Sequence, residues 1–244
     1  MRVIVPAAGL GERLLPHTSD RPKCLVPVGG TPIMGRLMTQ LHEIGVSEVV
    51  CVVGYRGEMI KDYVGSLSGR PRVAFVENPQ FATTNSIYSL YSSFAYWDGG
   101  IAVVDSDILV STRLLTMVLD GDDTAMVIDA ERTRAEIDMA VEVRDGAVWH
   151  LDKELPDDRV TGEFFGLSRW TGAGLDSLRR TISAMVTAGE TDVWYQFAIR
   201  KVAKTLRIRP LYAHRHEWSE VDSGTDLMAA NAALAAGAVW GSCR

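Results

Sequence analysis

The residues best suited to handling phosphate lie near the amino terminus. Ala7-Ala8-Gly9-Leu10-Gly11 follows the short apolar run Val3-Ile4-Val5, and Arg13 and Lys23 add two cations to the same segment. Glycine lets the backbone turn tightly and lets its N–H groups approach a ligand closely. Successive N–H groups in such a turn form a concavity for anions. A strand, a bare-backbone loop and two cations together describe a nucleoside triphosphate site. The loop is not a Walker A motif, because no G-x-x-x-x-G-K-[ST] string follows Gly9. Nor is it the dinucleotide fingerprint, since Leu14 stands where the third glycine is needed.

Asp105 and Asp107 are the next candidates. Two carboxylates at a spacing of two on a strand end point the same way. Like charges that close need a cation, and Mg²⁺ is the one expected near phosphates. The plainer alternative is a polar turn that ends a strand. Asp222 lies in Trp218-Ser219-Glu220-Val221-Asp222-Ser223-Gly224, which reads first as a strand followed by the cap of a last helix. Asn78 to Leu90 reads as a turn and a capped helix with Ile87, Leu90 and Phe94 facing the core. The five histidines form no ligand pattern, and alternation on a strand accounts for His214-Arg215-His216.

The surrounding pattern supplies elements that hold these groups. Val3–Val5, Glu48–Val53, Arg72–Val76 and Ile101–Val104 read as strands. Helices are expected from Thr31-Pro32 to Gly45, around Glu58–Val64, over Asn85–Trp97 and over Leu114–Leu119, with Thr124–Ile128 strand-like after them. This alternation implies an α/β fold with a mostly parallel, Rossmann-like doubly wound sheet covered on both faces. Ligands in such sheets bind outside the carboxyl ends of the strands. The glycine loop and Asp105/Asp107 both sit at such ends.

The rhythm breaks after about residue 135. A hairpin is expected over Met139–Arg144 and Ala147–Leu151, turning at Asp145-Gly146. A strand at Glu163–Leu167, helices at Thr171–Ala188 and Asp192–Lys204, strands at Leu206–Tyr212 and Glu217–Val221 and a helix from Gly224 follow. The expectation is one domain over 1–244: a nucleotide-binding core at 1–135, an acceptor-binding lid at 136–221 and a C-terminal helix at 222–244.

Bulk properties narrow the class. The chain has 244 residues, 47% of them hydrophobic and 23% charged, which suits a packed core rather than disorder. A net charge of −6 disfavours a nucleic-acid partner and makes any phosphate-binding charge local. Cys24, Cys51 and Cys243 are odd in number and widely spaced, which argues for a reducing compartment and against a zinc site. No run reaches the roughly 18–20 apolar residues of a membrane span, so a cytoplasmic location is expected.

Gly9-Leu10-Gly11-Glu12-Arg13-Leu14 with Arg21-Pro22-Lys23-Cys24-Leu25 resembles the signature of nucleotidyltransferases that make nucleoside-diphospho compounds. Glu12 replaces that family's usual small hydroxyl residue. The Asn78–Leu90 segment and Gly162-Glu163-Phe164-Phe165-Gly166-Leu167-Ser168 resemble the choline-phosphate and phosphonate cytidylyltransferases within it. The resemblance implies metal binding by Asp107 and Asp222, with Asp105 beside them. It implies nucleotide contacts from Ala7, Ala8, Gly9, Leu10, Gly11, Asn85, Ser86 and Asp105. Catalytic charge is implied for Lys23 and Arg13, and an acceptor pocket for Asp138, Lys153 and Glu163. Phe164, Phe165 and Tyr195 add possible contacts to an ammonium.

The implied reaction joins CTP to a small phosphonate or phosphate monoester, with Mg²⁺ as cofactor. The favoured acceptor is 2-aminoethylphosphonate or a hydroxylated relative, followed by phosphocholine and then a sugar 1-phosphate. A homodimer is compatible with this reading. The alternative of a different class is a nucleotide-binding sensor without turnover.

Overall fold

The computed structural model describes residues 1–240. Cys243 and the end of the expected C-terminal helix lie outside the described residues. Along the first half run β1 (Arg2–Ala7), β2 (Pro27–Val28), β3 (Thr31–Pro32), α1 (Ile33–Glu43), β4 (Glu48–Val53), α2 (Gly57–Ser66) and β5 (Arg72–Glu77). They are followed by α3 (Ser86–Ser92), β6 (Gly100–Val104), β7 (Ile108–Val110), α4 (Thr112–Leu119) and β8 (Ala125–Asp129). The second half contributes β9 (Ala140–Arg144), β10 (Ala147–Asp152), β11 (Gly162–Thr171), α5 (Gly172–Thr187) and α6 (Gln196–Ala203). It closes with β12 (Arg209–Ala213), β13 (Trp218–Glu220) and α7 (Gly224–Ala235).

Nine strands form the main sheet, with β10-β9-β11-β6-β1-β4-β5 as its path and β8 and β12 joined beside β11. Only β10 and β11 run against the rest. The fold is therefore mixed α/β with a mostly parallel sheet, as the alternating pattern implies. β1 shows why both faces are covered. Val3 and Val5 point to the side packed by α1, α2 and α4, while Ile4 points to the side packed by α3, α5 and α6. Strand side chains alternate, so an unbroken apolar run needs a cover on each face.

Several boundaries differ from expectation. Thr31-Pro32 does not open α1 as a capped first turn; it pairs with Pro27-Val28 as β3, and the helix begins at Ile33. The expected helix over Asn85–Trp97 is broken at Ser93, where the chain passes into a short 3-10 turn at Phe94–Tyr96. The helix expected from Asp192 starts at Gln196, because residues 191–195 bond to the start of α3 instead. His214 to His216 sit in a turn with φ +68° at His216, so strand alternation does not explain that cluster. β7 passed unnoticed because its three residues are too few to show a period.

β11 is twice as long as the expected strand and lies inside the sheet. It pairs with β6 along Leu167–Thr171, with β8 between Glu163 and Arg169, and with β9 at Gly162 and Glu163. A register irregularity falls between Phe164 and Ser168, where Gly166 has φ +93°. A Cβ built on Gly166 would stand 2.3 Å from the Asp105 carboxylate, so this glycine lets β11 pass against the end of β6.

Candidate active site

The carboxyl ends of β1, β4 and β6 meet at one edge of the sheet. A cleft of about 670 Å³ opens there, lined by the glycine loop and by residues from both halves of the chain. Ala7, Ala8, Gly9, Leu10 and Gly11 form one wall. Gly11 takes the left-handed conformation (φ +68°), and a Cβ at Gly9 would meet nothing within 4 Å. The loop thus presents bare backbone to the cleft. Thr18 pins its far end by donating to the Gly11 carbonyl at 2.8 Å.

Lys23 and Asp222 are 199 residues apart in sequence and touch. The connection follows from β13, which pairs antiparallel with β7 so that Glu220 lies opposite Ile108. The Val221 N–H then donates to the Asp107 carbonyl at 3.0 Å, which brings Asp222 alongside Asp107. The Lys23 ammonium donates to Asp107 Oδ2 at 2.7 Å and to Asp222 Oδ1. Arg13, far more exposed, pairs with the other Asp222 oxygen. Burial acts to lower the Lys23 pKa, but Asp107 and Asp222 outweigh it and hold the lysine above its ordinary value. The ammonium therefore stays charged at neutral pH.

Asp105 and Asp107 do not act as a matched pair. The strand ends at Val104, so the spacing of two falls in a turn and loses its alternation. Asp105 lines the cleft, half-buried, and accepts from the Tyr195 hydroxyl at 3.1 Å. Burial, then the neighbouring Asp107 charge, pushes its carboxyl well above the usual range. Tyr195 is itself fully buried and does not line the cleft, so it cannot supply the aromatic contact expected of it. It supports Asp105 from below and stands edge-on to Phe164.

The third carboxylate near Asp107 and Asp222 is Glu220, whose role the sequence reading passed over. Oxygen atoms of Asp107, Glu220 and Asp222 all lie within 4.8 Å of one another. Burial, then the charge of Asp107, raises Glu220 to about 8. A signal was available: Glu220 and Asp222 are two apart on an extended segment and project together. Hard carboxylate oxygens converging at this spacing fit a divalent cation such as Mg²⁺, which would also offset their mutual repulsion.

The opposite wall comes from the second half. Glu163, at the start of β11, accepts from the Asp138 N–H at 2.8 Å and faces Arg132 at 3.2 Å. Burial raises its pKa, partly offset by the Asp138 N–H and by Arg132. Lys153, just beyond β10, donates to both Asp138 carboxylate oxygens at 2.8 Å. Its ammonium also lies 4.0 Å from the centre of the Trp194 ring. Trp194 lines the cleft and was missed, because an isolated tryptophan before a helix carries no motif. Phe164 and Phe165 line it too, with Phe165 stacked on Trp218 at 4.0 Å.

Asn85 and Ser86 reach the cleft at the start of α3, but both are partly committed to structure. The Asn85 side chain accepts from the Ser86 N–H, and Ser86 Oγ accepts from the Tyr195 N–H.

Residues 3–223 match the profile of the MobA-like NTP transferase domain. A CMP-5'-(3-aminopropyl)phosphonate synthase from Streptomyces rubellomurinus is 32% identical over 164 residues, covering 67% of this chain and 26% of that protein. A 2-aminoethylphosphonate cytidylyltransferase from Lancefieldella rimae is 34% identical over 110 residues, covering 44% of this chain and 43% of its own length. The chain thus spans less than half the length of either relative. The solved structure of the CTP:phosphocholine cytidylyltransferase from Streptococcus pneumoniae superposes with a TM-score of 0.78 at 23% identity, covering 96% of this chain and 98% of that one. At that identity the likeness is one of fold.

Proposed function

The chain belongs to the MobA-like NTP transferase family, and from that premise we propose that it is a cytidylyltransferase. It joins CTP to a small phosphonate, 2-aminoethylphosphonate or a hydroxylated relative, and releases pyrophosphate. The observation that carries this reading is the convergence of Lys23, Asp107 and Asp222 beside the glycine loop. Phosphonate cytidylyltransferases among the relatives favour the acceptor class. The acidic and aromatic wall of Asp138, Glu163, Phe164 and Trp194 favours an acceptor that carries an ammonium.

The acceptor oxyanion is ionised at neutral pH, so no general base is required. Its lone pair forms a new bond to the α-phosphorus as the bond to the β-phosphate bridging oxygen breaks. Pyrophosphate carries off the electron pair, and no proton moves. Catalysis then consists of positioning and charge neutralisation. Backbone N–H groups of Ala8 to Gly11 hold the nucleotide. Lys23, kept cationic by its carboxylate neighbours, offsets charge on the α-phosphate and the incoming oxyanion. Arg13 steadies the departing pyrophosphate. Asp107 and Asp222, with Glu220, would hold Mg²⁺, which supplies Lewis-acid stabilisation of phosphate charge when bound. In this division of labour residues 1–135 serve the nucleotide and 136–221 serve the acceptor, except that Glu220 joins Asp222, just ahead of α7, on the metal side.

The test is pyrophosphate release from each of four nucleoside triphosphates, with and without 2-aminoethylphosphonate, phosphocholine and a sugar 1-phosphate. Release confined to CTP with the phosphonate is the expected result. Equal release with a sugar 1-phosphate and another nucleotide defeats the assignment, and release with none points to a nucleotide-binding sensor.

A further inference from the structure

The glycine loop is held at both shoulders by one short segment beyond the carboxyl end of β4. The Tyr55 N–H donates to the Ala8 carbonyl at 3.0 Å, just where the loop leaves β1. The Tyr55 hydroxyl reaches the far end of the loop and donates between the carbonyls of Thr18, at 3.2 Å, and Ser19, at 3.3 Å. Arg56 completes the contact. Its Nε donates to the Tyr55 hydroxyl oxygen at 3.0 Å, and its Nη2 donates to the Ser19 carbonyl at 3.2 Å. Gly9, Gly11 and Arg13 all lie between these two shoulders. Thr18 passes the constraint inward, because its own hydroxyl holds the Gly11 carbonyl.

The segment adopts an uncommon backbone to make these contacts. Arg56 has φ +47° and ψ +38°, in a turn closed by the Gly57 N–H on the Gly54 carbonyl at 3.0 Å. Arginine seldom takes this left-handed conformation, and such a residue persists where its surroundings over-determine it. Here the surroundings are the Ser19 carbonyl and the Tyr55 hydroxyl. A Cβ on Gly54 would stand 2.7 Å from the Ala8 carbonyl oxygen, so the missing side chain lets this segment run against the loop. Neither Tyr55 nor Arg56 belongs to the cleft lining, so any influence on a ligand passes through the loop.

We infer that Tyr55 and Arg56 are positioning residues that fix the loop in the shape that receives the triphosphate. A loop ordered beforehand gives up less freedom when the ligand binds. The inference rests on the cytidylyl-transfer reading and deepens it, by assigning the nucleotide's affinity in part to residues that never touch the nucleotide.

The experiment compares the wild type with Tyr55→Phe and Arg56→Asn. Phenylalanine keeps the ring, which stands 6.5 Å from that of Phe81, and removes the hydroxyl. Asparagine tolerates the left-handed conformation and removes the guanidinium. Each variant raises KM for CTP about three- to tenfold, the factor that loss of one hydrogen bond brings. KM for the acceptor stays at the wild-type value. A residue that served only the fold would lower Tm and the active fraction and leave KM for CTP where it is, and that result overturns the inference. Amide hydrogen exchange without nucleotide reads the loop directly. Exchange over residues 9–19 quickens in both variants while that of α5 is unaltered; unaltered exchange over 9–19 also overturns the inference.

Equilibrium binding of CTP in the presence of Mg²⁺ separates this inference from the parent reading. Binding by the wild type that weakens several-fold in both variants supports the inference even where no acceptor releases pyrophosphate, an outcome that ends cytidylyl transfer alone. Pyrophosphate release by the wild type, with variants that bind CTP as tightly, ends the inference alone. A wild type that binds none of the four nucleoside triphosphates overturns both.

Discussion

Residues 7–11 and residues 138–196 face the same cleft, yet they offer a ligand different things. The first wall is backbone: a left-handed glycine, a glycine open to the cavity, and N–H groups fixed by the turn. The second is side chains drawn from a hairpin, the middle of the sheet and a helix start: Asp138, Lys153, Glu163, Trp194 and Gln196. A backbone cradle needs a few adjacent residues of small type and tolerates many neighbours. A side-chain wall needs residues scattered over about sixty positions, each placed by packing elsewhere. The two walls can therefore vary independently. On the proposed reading, the nucleotide chemistry would stay put while substitutions on the other wall redefine the acceptor.

The contrast predicts that damage on the nucleotide side lowers turnover for every acceptor. Lys23→Ala should reduce kcat about 100- to 1,000-fold, the cost of removing one preorganised charge from a transition state. Circular dichroism should show the fold retained. A kcat close to wild type in that variant breaks the comparison outright. Asp107→Asn should lose activity on the order of a hundredfold. It should also shift the magnesium titration to higher concentration, and an unmoved titration removes Asp107 from the metal set.

On the acceptor side the effect should be confined to one substrate. Asp138→Asn should raise KM for an amine-bearing acceptor about 10- to 100-fold, since a charge-assisted contact is worth roughly 1.5–3 kcal/mol. KM for CTP should not change. A rise in both KM values shows that the walls are coupled and sharpens the picture in that direction.

Gly166 sits where the two sides meet, its carbonyl accepting from the Asp105 N–H at 2.9 Å. Gly166→Ala forces a Cβ into positive φ and against the Asp105 carboxylate. The cost should be about 1–3 kcal/mol, read as a fall in Tm on the order of 5 °C. An unchanged Tm means that β11 and the end of β6 can shift past one another.

The remaining effect concerns pH. Burial, then Asp107, raises Glu220 to about 8, so the folded chain keeps a proton there that the unfolded chain has already lost. Stability should therefore fall as pH climbs from about 4.5 towards 8 in the absence of divalent cations. Thermal melts across that window should show the slope, and Glu220→Gln should flatten it. Added Mg²⁺, which favours the ionised carboxylate, should raise Tm more at pH 8 than at pH 6.

The strands that carry the nucleotide wall were legible because they are buried on both faces. Val3–Val5, Val49–Val53 and Ile101–Val104 are continuous apolar runs, and each lies in a strand of the sheet. Their carboxyl ends located the glycine loop and the region of Asp105 and Asp107. The role of Asp105 was not legible, since a spacing of two predicts a shared direction only while the chain remains extended. The strand stops at Val104, before either aspartate. Tyr195 shows the converse error: an aromatic near a polar segment reads equally well as pocket or core. Here Asp105 recruits its hydroxyl from below.

What the linear order of residues determined is local: which runs are buried strands, where glycine frees the backbone, and that two cations accompany the loop. These follow from side-chain period and backbone freedom, which act over a few residues. Only the tertiary structure decided that Asp222 stands beside Asp107 and under Lys23, because that contact depends on β13 pairing with β7 across more than a hundred residues. It alone decided that Trp194, Gln196 and Glu163 share one wall. No local rule links positions whose proximity is set by how a sheet and its helices close around a common core.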